Sequence, residues 1–297
     1  MKVVYGHTDS IYVQIDSVEK AQEAIKDIEA SVREHFPNVM GLDNHPVVLE
    51  FEKYYSSLGV GTTKNRNAGL VSWEDGVWLD KPKFSMTGFT AKRVSETKLA
   101  KEVQTDALKW WVSNDPIEVI NARLHRIYTE VLTGQYPVEN VIKRSRLRTN
   151  RTTVKCFGTK WTRCSKQYPL KKVPVHCEKC SNKSSNFLTL EGKKPTIGSG
   201  IAGVVKGWSD GIEFDDSYLF LKVKGNYGTY TNPLTKEKRL VEYVAGTTYE
   251  DFDDYKPDWQ HYADQVIKKA EPIYKAMNWD ISSIRTGRIQ KSLEEWF

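Results

Sequence analysis

Residues 1–15 read MKVVYGHTDSIYVQI and predict a β-hairpin at the start of the chain. Two runs of strand-forming residues, KVVY (2–5) and IYVQI (11–15), flank the short polar segment GHTDS (6–10). Apolar runs on either side of a polar turn are typical of paired antiparallel strands. Asp9 falls within the turn, where a carboxylate can cap nearby N–H groups or can serve a function.

The segments that follow the hairpin predict a helix and then more strands. Apolar residues recur at three- and four-residue steps over 18–35, which indicates an amphipathic helix. Strand-like segments follow at 46–55 (the run VVLEFEKYY), around LVSW, near VWL and at KFSMTGF. An antiparallel sheet with a helix on one face is an α+β arrangement, which is the fold class we predict.

The rest of the chain is predicted to be more helical. Helical patterns cover about 96–112, 116–132, 200–208 and 257–277, the last of them strongly amphipathic. Two strand-like runs, YLFLKVKG and LVEYVAG, lie between the last two helical segments. Pro116 after Asp115 is a typical first-turn proline.

The composition is that of an ordinary globular protein of 297 residues, with 39% hydrophobic and 28% charged residues. No apolar run reaches the ~18 residues that a membrane helix needs, and the N-terminus lacks the apolar core of a signal peptide. We therefore expect a cytoplasmic protein with no membrane partner.

Positive charge is concentrated between residues 141 and 183. This segment holds 13 Lys or Arg and one acid, Glu178, so it carries +12, whereas the whole chain carries +6 and the remainder sums to −6. A basic stretch in an otherwise acidic chain indicates a polyanionic partner such as nucleic acid. The alternative is a solvated loop whose lysines serve solubility.

All four cysteines lie inside the basic segment. Cys177 and Cys180 form a CxxC pair, and the more widely spaced Cys156 and Cys164 can complete a tetrahedral zinc site. His176 could replace one of these ligands. Free thiols are the alternative.

The hairpin turn YGHTDS resembles YGDTDS, the motif C signature of the family B DNA polymerases. In that family the turn presents carboxylates to two Mg²⁺ ions during nucleotidyl transfer. The resemblance implies that Asp9 is the catalytic, Mg²⁺-binding aspartate, with Thr8 and Ser10 shaping the turn. His7 replaces the first aspartate of the signature, and imidazole is a poor Mg²⁺ ligand.

Three further segments resemble the same family in order and spacing. LEFEKYY (49–55) is similar to a strand whose glutamate lies near the metal site, which implicates Glu50 and Glu52, on one face of the predicted strand. TKNRNAG (63–69) resembles the KKRYAG motif that holds primer-template DNA; Lys64 and Arg66 match, and Asn65 and Asn67 depart. TGFTAKRVS (87–95) is similar to the palm–thumb junction, with Lys92 and Arg93 as DNA contacts.

The resemblance implies a domain organisation. Residues 1–95 are predicted as the C-terminal part of the palm, and 96–285 as a mostly helical thumb that tracks product DNA. We interpret the basic, cysteine-rich stretch at about 141–198 as a zinc-stapled insertion in this thumb, or alternatively as a protein-docking knob. In the first interpretation four basic side chains contact DNA phosphates: Lys143, Arg144, Arg146 and Arg148.

The final residues, QKSLEEWF (290–297), fit the pattern of peptides that bind a PCNA-type sliding clamp. Gln290, Leu293, Trp296 and Phe297 occupy its four key positions. The alternative is that the two aromatic side chains fold back onto the thumb.

The resemblance also implies partners. Motif A, the fingers with motif B and the exonuclease domain do not occur in this chain, so we expect a large polymerase subunit to supply them. The chain is then the small subunit of a split archaeal-type polymerase, nucleoid-associated, or a C-terminal fragment of a whole one. It would act on primer-template DNA and dNTP. The alternatives are a non-catalytic DNA-binding and clamp-tethering subunit, or a zinc-bearing nucleic-acid-binding module.

Overall fold

The structure, a computed structural model, describes residues 2–7 and 10–289. The chain divides into two compact units: the first comprises the described residues of 1–89, 104–123 and 270–297, and the second comprises 90–103 and 124–269. Both combine helices with antiparallel strands, which confirms the predicted α+β class. The domain boundaries proposed from sequence stay a prediction.

The predicted hairpin is present. It consists of β1 (Lys2–His7) and β2 (Ser10–Gln14), which pair antiparallel. The last pair of this ladder joins His7 to Ser10. The two residues between them in sequence lie outside the described part of the chain.

The predicted helix over 18–35 is confirmed as α1 (Val18–His35). Ser17 begins it as an N-cap, because its extended backbone lets Oγ accept a hydrogen bond from the Lys20 N–H at 3.3 Å. The chain after this helix returns alongside it, and the Leu49 N–H donates to the Glu29 carboxylate at 2.9 Å.

A three-stranded antiparallel sheet follows, with the strand order β3-β4-β5. Its strands are β3 (Lys53–Val60), β4 (Asn67–Glu74) and β5 (Val77–Thr87). The two strands predicted near VWL and KFSMTGF are one continuous strand, β5. The middle strand contributes the buried side chains of Val71 and Trp73, and Phe51 stacks on Trp73 with ring centroids 4.5 Å apart.

The strand predicted over 46–55 is wrong in its start. Residues 47–52 form no ladder, and the strand begins at Lys53. Exposure nevertheless alternates along 45–52, because this extended segment packs one side against its own unit. Glu50 and Glu52 are both exposed, but they precede the strand whose face they were expected to share.

The helices and strands after residue 95 are, in chain order, α2 (Lys98–Val112), α3 (Ile117–Leu132), β6 (Lys143–Arg146), α4 (Thr149–Thr152), β7 (Thr153–Lys155), β8 (Gln167–Pro169), β9 (Leu188–Thr189), α5 (Ser199–Ser209), β10 (Ser217–Lys222), β11 (Thr229–Thr231), β12 (Lys238–Leu240), β13 (Tyr243–Gly246), α6 (Trp259–Met277) and α7 (Ser283–Thr286). The four predicted helices of this region are confirmed to within two residues at each end. Helices cover more of 96–285 than strands do, although this fully described region also holds eight short strands, more than the sequence patterns indicate.

The described part of the second unit holds three sheets. One has the order β13-β10-β6, and α5 packs against it with Val204 and Val205 buried. A second has the order β8-β7-β9 and lies in the cysteine-rich region, and the third is the β11-β12 pair. Among the described residues, no helix is both long and apolar enough to cross a membrane.

Candidate metal centre and the N-terminal hairpin

The four cysteines converge on one point. Their Sγ atoms all lie within 4.8 Å of one another. The sulfurs of Cys156 and Cys180 are 3.4 Å apart, and those of Cys164 and Cys177 are 3.7 Å apart. Four sulfurs bound tetrahedrally to zinc at about 2.3 Å would be separated by about 3.8 Å. The donor set and its spacing therefore fit one tetrahedral ion.

A tight hairpin supplies the first two cysteines. The Cys156 N–H donates to the Lys166 carbonyl at 2.9 Å, and Gly158 forms an antiparallel β-bridge with Arg163 across the hairpin. Gly158 has a φ of +93°, and a Cβ added to it would lie 1.9 Å from the Thr162 carbonyl oxygen. Only glycine fits this position, so the eight-residue spacing of the cysteines closes into a compact loop.

A second hairpin supplies the CxxC pair. The Cys177 N–H donates to the Asn182 carbonyl at 2.8 Å, and the Ser181 N–H donates to the Cys177 carbonyl at 2.8 Å. The Asn182 side chain ties the two hairpins together, since its Nδ2 donates to the Gly158 carbonyl at 2.7 Å. Sequence reasoning missed this link, because an asparagine two residues after a CxxC pair is a weak signal.

The environment of the cluster gives its thiols different pKa values. Burial raises the pKa of the Cys177 thiol, but donation from Tyr168 Oη and from the N–H groups of Lys179 and Cys180 outweighs it and lowers the pKa to about 6. Burial raises the pKa of Cys156 to about 12. Tyr168 thus orients a thiol whose lowered pKa favours the thiolate, the form that binds metals.

His176 lies outside the cluster. Its side chain is exposed, and it is absent from the group of residues whose ligand atoms converge. The four cysteines complete the set, so the expectation that His176 could replace one of them is wrong.

At the other end of the chain, the hairpin is fastened to the loop that precedes β4. Tyr5 Oη accepts a hydrogen bond from the Asn65 N–H at 2.9 Å and donates to Asn65 Oδ1 at 3.1 Å. Tyr12 packs between Tyr5 and Tyr55, with ring centroids 5.5 and 6.1 Å away. The structure therefore brings the segment YGHTDS into contact with TKNRNAG. The sequence had shown only that the two segments follow each other in the order of the family's motifs.

A third segment meets the same loop at Gly88. A Cβ added there would lie 1.7 Å from the Asn65 carbonyl oxygen, and the φ of +76° also favours glycine. Asn65 itself has a φ of +62°, a conformation that asparagine tolerates better than most residues. This departure from the family motif therefore suits the turn that the loop makes.

The predicted DNA-binding residues differ in exposure. Lys64, Lys92 and Arg93 are exposed, and Arg66 is half-buried. Arg144, Arg146 and Arg148 are exposed at alternate positions on and just after β6. Lys143 lies on the opposite face of this strand, with Nζ 4.0 Å from the Glu96 carboxylate, which makes it the least available of the four.

Several predicted site residues fall outside this description. Thr8, Asp9 and the side chain of His7 are not described, whereas Ser10 is exposed at the start of β2. The predicted clamp-binding residues also lie outside the described residues: Gln290, Leu293, Trp296 and Phe297.

Comparison with known proteins identifies the family. The family model for DNA polymerase family B matches residues 1–172, more than half of the chain. No curated protein matches. A solved structure of the family B DNA polymerase from the hyperthermophilic archaeon Pyrobaculum calidifontis is similar, with a TM-score of 0.51 and 16% identity over 92% of this chain. The matched part is 26% of that polymerase. The chain, whose hairpin is bonded to the Asn65 loop that Gly88 also contacts, belongs to the family B DNA polymerases.

Proposed function

We propose that this chain forms the palm–thumb part of a DNA-directed DNA polymerase and contributes Asp9 to its active site. The rest of the enzyme, whether a separate large subunit or the remainder of a longer chain, would supply motif A, the fingers and the exonuclease domain. Together they would transfer dNMP from dNTP to the primer end. The observation that carries the proposal is the Tyr5–Asn65 contact, because it holds the motif C hairpin against the DNA-gripping loop.

Magnesium is the cofactor we propose for the hairpin. Among the described residues, the cysteine cluster is the only group of three or more side chains able to hold a metal, and thiolates suit zinc rather than magnesium. Asp9 alone is too small a ligand set for Mg²⁺, so further carboxylates must come from the rest of the polymerase. Bound there, magnesium would neutralise the charge that develops on the phosphates.

The surface of the hairpin supports a shared active site. Val3 and Ile11 are 60% and 56% exposed, and within residues 2–7 and 10–289 no third strand joins β1 and β2. A two-stranded hairpin is marginal alone, and its unpaired edges invite pairing with other strands. Exposed apolar side chains recur after α1, at Val39 and Met40. We infer that the rest of the palm covers these surfaces.

Primer extension by the complete polymerase tests the role of Asp9. Asp9→Ala should lower the rate of nucleotide addition at saturating dNTP by at least about a hundredfold, since it removes about 3 kcal/mol or more of transition-state stabilisation. Asp16→Ala is the matched control, because Asp16 is an exposed aspartate paired with Lys20. Equal rates for the two variants would exclude a catalytic role for Asp9.

A second candidate function is a DNA-binding and clamp-tethering subunit with a decayed active site. His7 favours it, because the first aspartate of motif C is replaced there. The Asp9→Ala experiment separates the two functions. If the chain only tethers the polymerase, this variant would leave the extension rate unchanged, whereas omitting the chain would lower the processivity of the polymerase. We keep the catalytic role as the main proposal because Asp9, the metal-bridging position, is retained.

We further propose that the four cysteines hold one structural zinc ion and that the surrounding basic residues grip DNA phosphates. A structural zinc site of four cysteines contributes folding free energy directly, so the metal would stabilise both hairpins of the cluster. The C-terminal peptide would bind a PCNA-type clamp through Gln290, Leu293, Trp296 and Phe297. Retention of clamp binding after Trp296→Ala and Phe297→Ala together would refute this last role.

A further inference from the structure

The hairpin that carries Cys156 and Cys164 ends in an exposed aromatic tip. Trp161 is 86% exposed, and Phe157 is 43% exposed on the same loop. Burying an indole normally stabilises a fold by several kcal/mol, so a tryptophan left this far in water is costly. The position of the ring therefore needs an explanation beyond packing.

The tip is rigidly built. Thr159 Oγ1 accepts hydrogen bonds from the N–H groups of Trp161 at 3.3 Å and Thr162 at 3.2 Å. The Thr159 N–H donates to the Thr162 carbonyl at 2.9 Å, which closes a four-residue turn. Just below it, the Gly158 N–H donates to Cys156 Sγ at 3.4 Å. The metal centre thus supports a turn that holds the indole away from the protein surface.

A lysine lies over each of the two rings. Lys160 Nζ lies over the Trp161 ring at 5.3 Å from its centroid, and Lys155 Nζ lies over Phe157 at 5.0 Å. Arg163 is exposed on the same hairpin. Rings interleaved with cations match a chain in which flat bases alternate with phosphates. Bases inside a duplex are already stacked on each other, whereas every unpaired base offers its face to such a ring.

We propose that Trp161 stacks on an unpaired base of single-stranded DNA, while Lys160, Arg163 and Lys155 contact the flanking phosphates. This inference rests on the proposed polymerase function, in which this part of the chain binds DNA. It adds that the hairpin of Cys156 and Cys164 binds single-stranded DNA. An acidic protein partner would match the cations but would not need an isolated, projecting indole.

Fluorescence anisotropy with a labelled oligo(dT) and a labelled duplex, on the full zinc-loaded chain, tests the proposal. Trp161→Ala should weaken oligo(dT) binding about 5- to 150-fold, the loss expected for one base–aromatic stack, and should leave duplex binding within about twofold. Trp161→Phe should recover part of the loss, because phenylalanine still offers a π-face. The matched control is Trp78→Ala, since Trp78 is 56% exposed near the start of β5. It should change neither affinity.

Quenching of tryptophan emission gives a second readout that a merely structural role would not produce. Oligo(dT) should quench the wild-type chain, and Trp161→Phe should lose most of that quenching at saturation. Zinc content is measured for every variant, and it should stay at one ion per chain. Unchanged oligo(dT) affinity and quenching in the Trp161 variants would overturn the inference, while intact duplex binding would still support the polymerase function. An equal loss of affinity for oligo(dT) and duplex would also overturn it.

Discussion

At the scale of single residues, Asn65 brings three separated sequence motifs into contact. Its backbone N–H and side-chain oxygen both bond Tyr5 of the hairpin, and its carbonyl backs directly onto Gly88. A lysine, which the family motif carries there, would adopt the left-handed backbone less readily. Asn65 therefore suits the turn that holds the hairpin better than the lysine of the family motif would.

A substitution at Gly88 tests the close contact between Gly88 and the Asn65 carbonyl. Gly88→Ala should lower the free energy of unfolding by about 2–4 kcal/mol, because the new Cβ meets the Asn65 carbonyl and the backbone φ is positive. Gly76→Ala is the matched control: Gly76 also has a positive φ, +89°, but faces open space. It should cost only about 1 kcal/mol. The free energies of unfolding are measured by urea denaturation. Equal losses in the two variants would mean that the Asn65 loop shifts to make room for the new Cβ.

The proposed zinc site predicts how bound zinc changes when one cysteine is replaced. Cys164→Ser should reduce bound zinc well below one ion per chain and destabilise the second unit, since a structural site needs all four ligands. His176→Ala is the matched control, because His176 directly precedes Cys177 in sequence but lies outside the cluster, and it should retain zinc. Metal analysis after gel filtration checks both variants. Full zinc retention by the serine variant would contradict the proposed ligand set.

At the scale of the element, β6 presents arginines on one face of an edge strand. Arg144 and Arg146 are exposed there, and we expect both to contact duplex phosphates. Replacing both by alanine should lower the slope of log K against log salt by about 2, because each phosphate contact contributes about 0.9. Lys238 and Arg239 on β12 form the matched control pair and should leave the slope nearly unchanged. Equal slopes in both double variants would remove β6 from the interface.

His261 in α6 gives a prediction about pH. Burial lowers its pKa, and Lys222 opposes the charged ring further, although Asp258 favours it. The unfolded chain then binds more protons below the ordinary pKa of about 6.5, so folding stability falls as pH drops through that value. His261→Gln should remove this part of the loss between about pH 7.5 and 5.5. A pH dependence of stability unchanged by His261→Gln would contradict the lowered pKa of His261.

The elements were predictable from sequence where their pattern was long. The helical pattern over 96–112 located α2 to within two residues, because its apolar positions Leu99, Val103 and Ala107 are all buried. The strand-like run over 46–55 misled the prediction of where β3 begins, because residues 45–52 alternate in exposure as a strand does. The convergence of four cysteines could be anticipated from chemistry, whereas Asn182, Tyr168 and the Tyr5–Asn65 bond depend on folding that no local pattern reports.

At the scale of the whole molecule, the chain carries part of the proposed active site and two separate kinds of proposed nucleic-acid contact. In this proposal, the exposed apolar side chains of the hairpin and Asp9 require the rest of a palm. The basic second unit and its cysteine hairpins would present positive charge and an aromatic tip to DNA. This division fits a chain that matches a polymerase family over its first 172 residues and corresponds to 26% of the similar solved polymerase.

Reconstituted primer extension tests the shared active site most directly. The rest of the polymerase and this chain are assayed apart and together with Mg²⁺, primer-template DNA and dNTP. We predict extension only by the combination, and its loss when this chain carries Asp9→Ala. Extension by the rest of the polymerase alone at the full rate, or an undiminished rate with the Asp9 variant, would contradict the placement of the catalytic carboxylate in this chain.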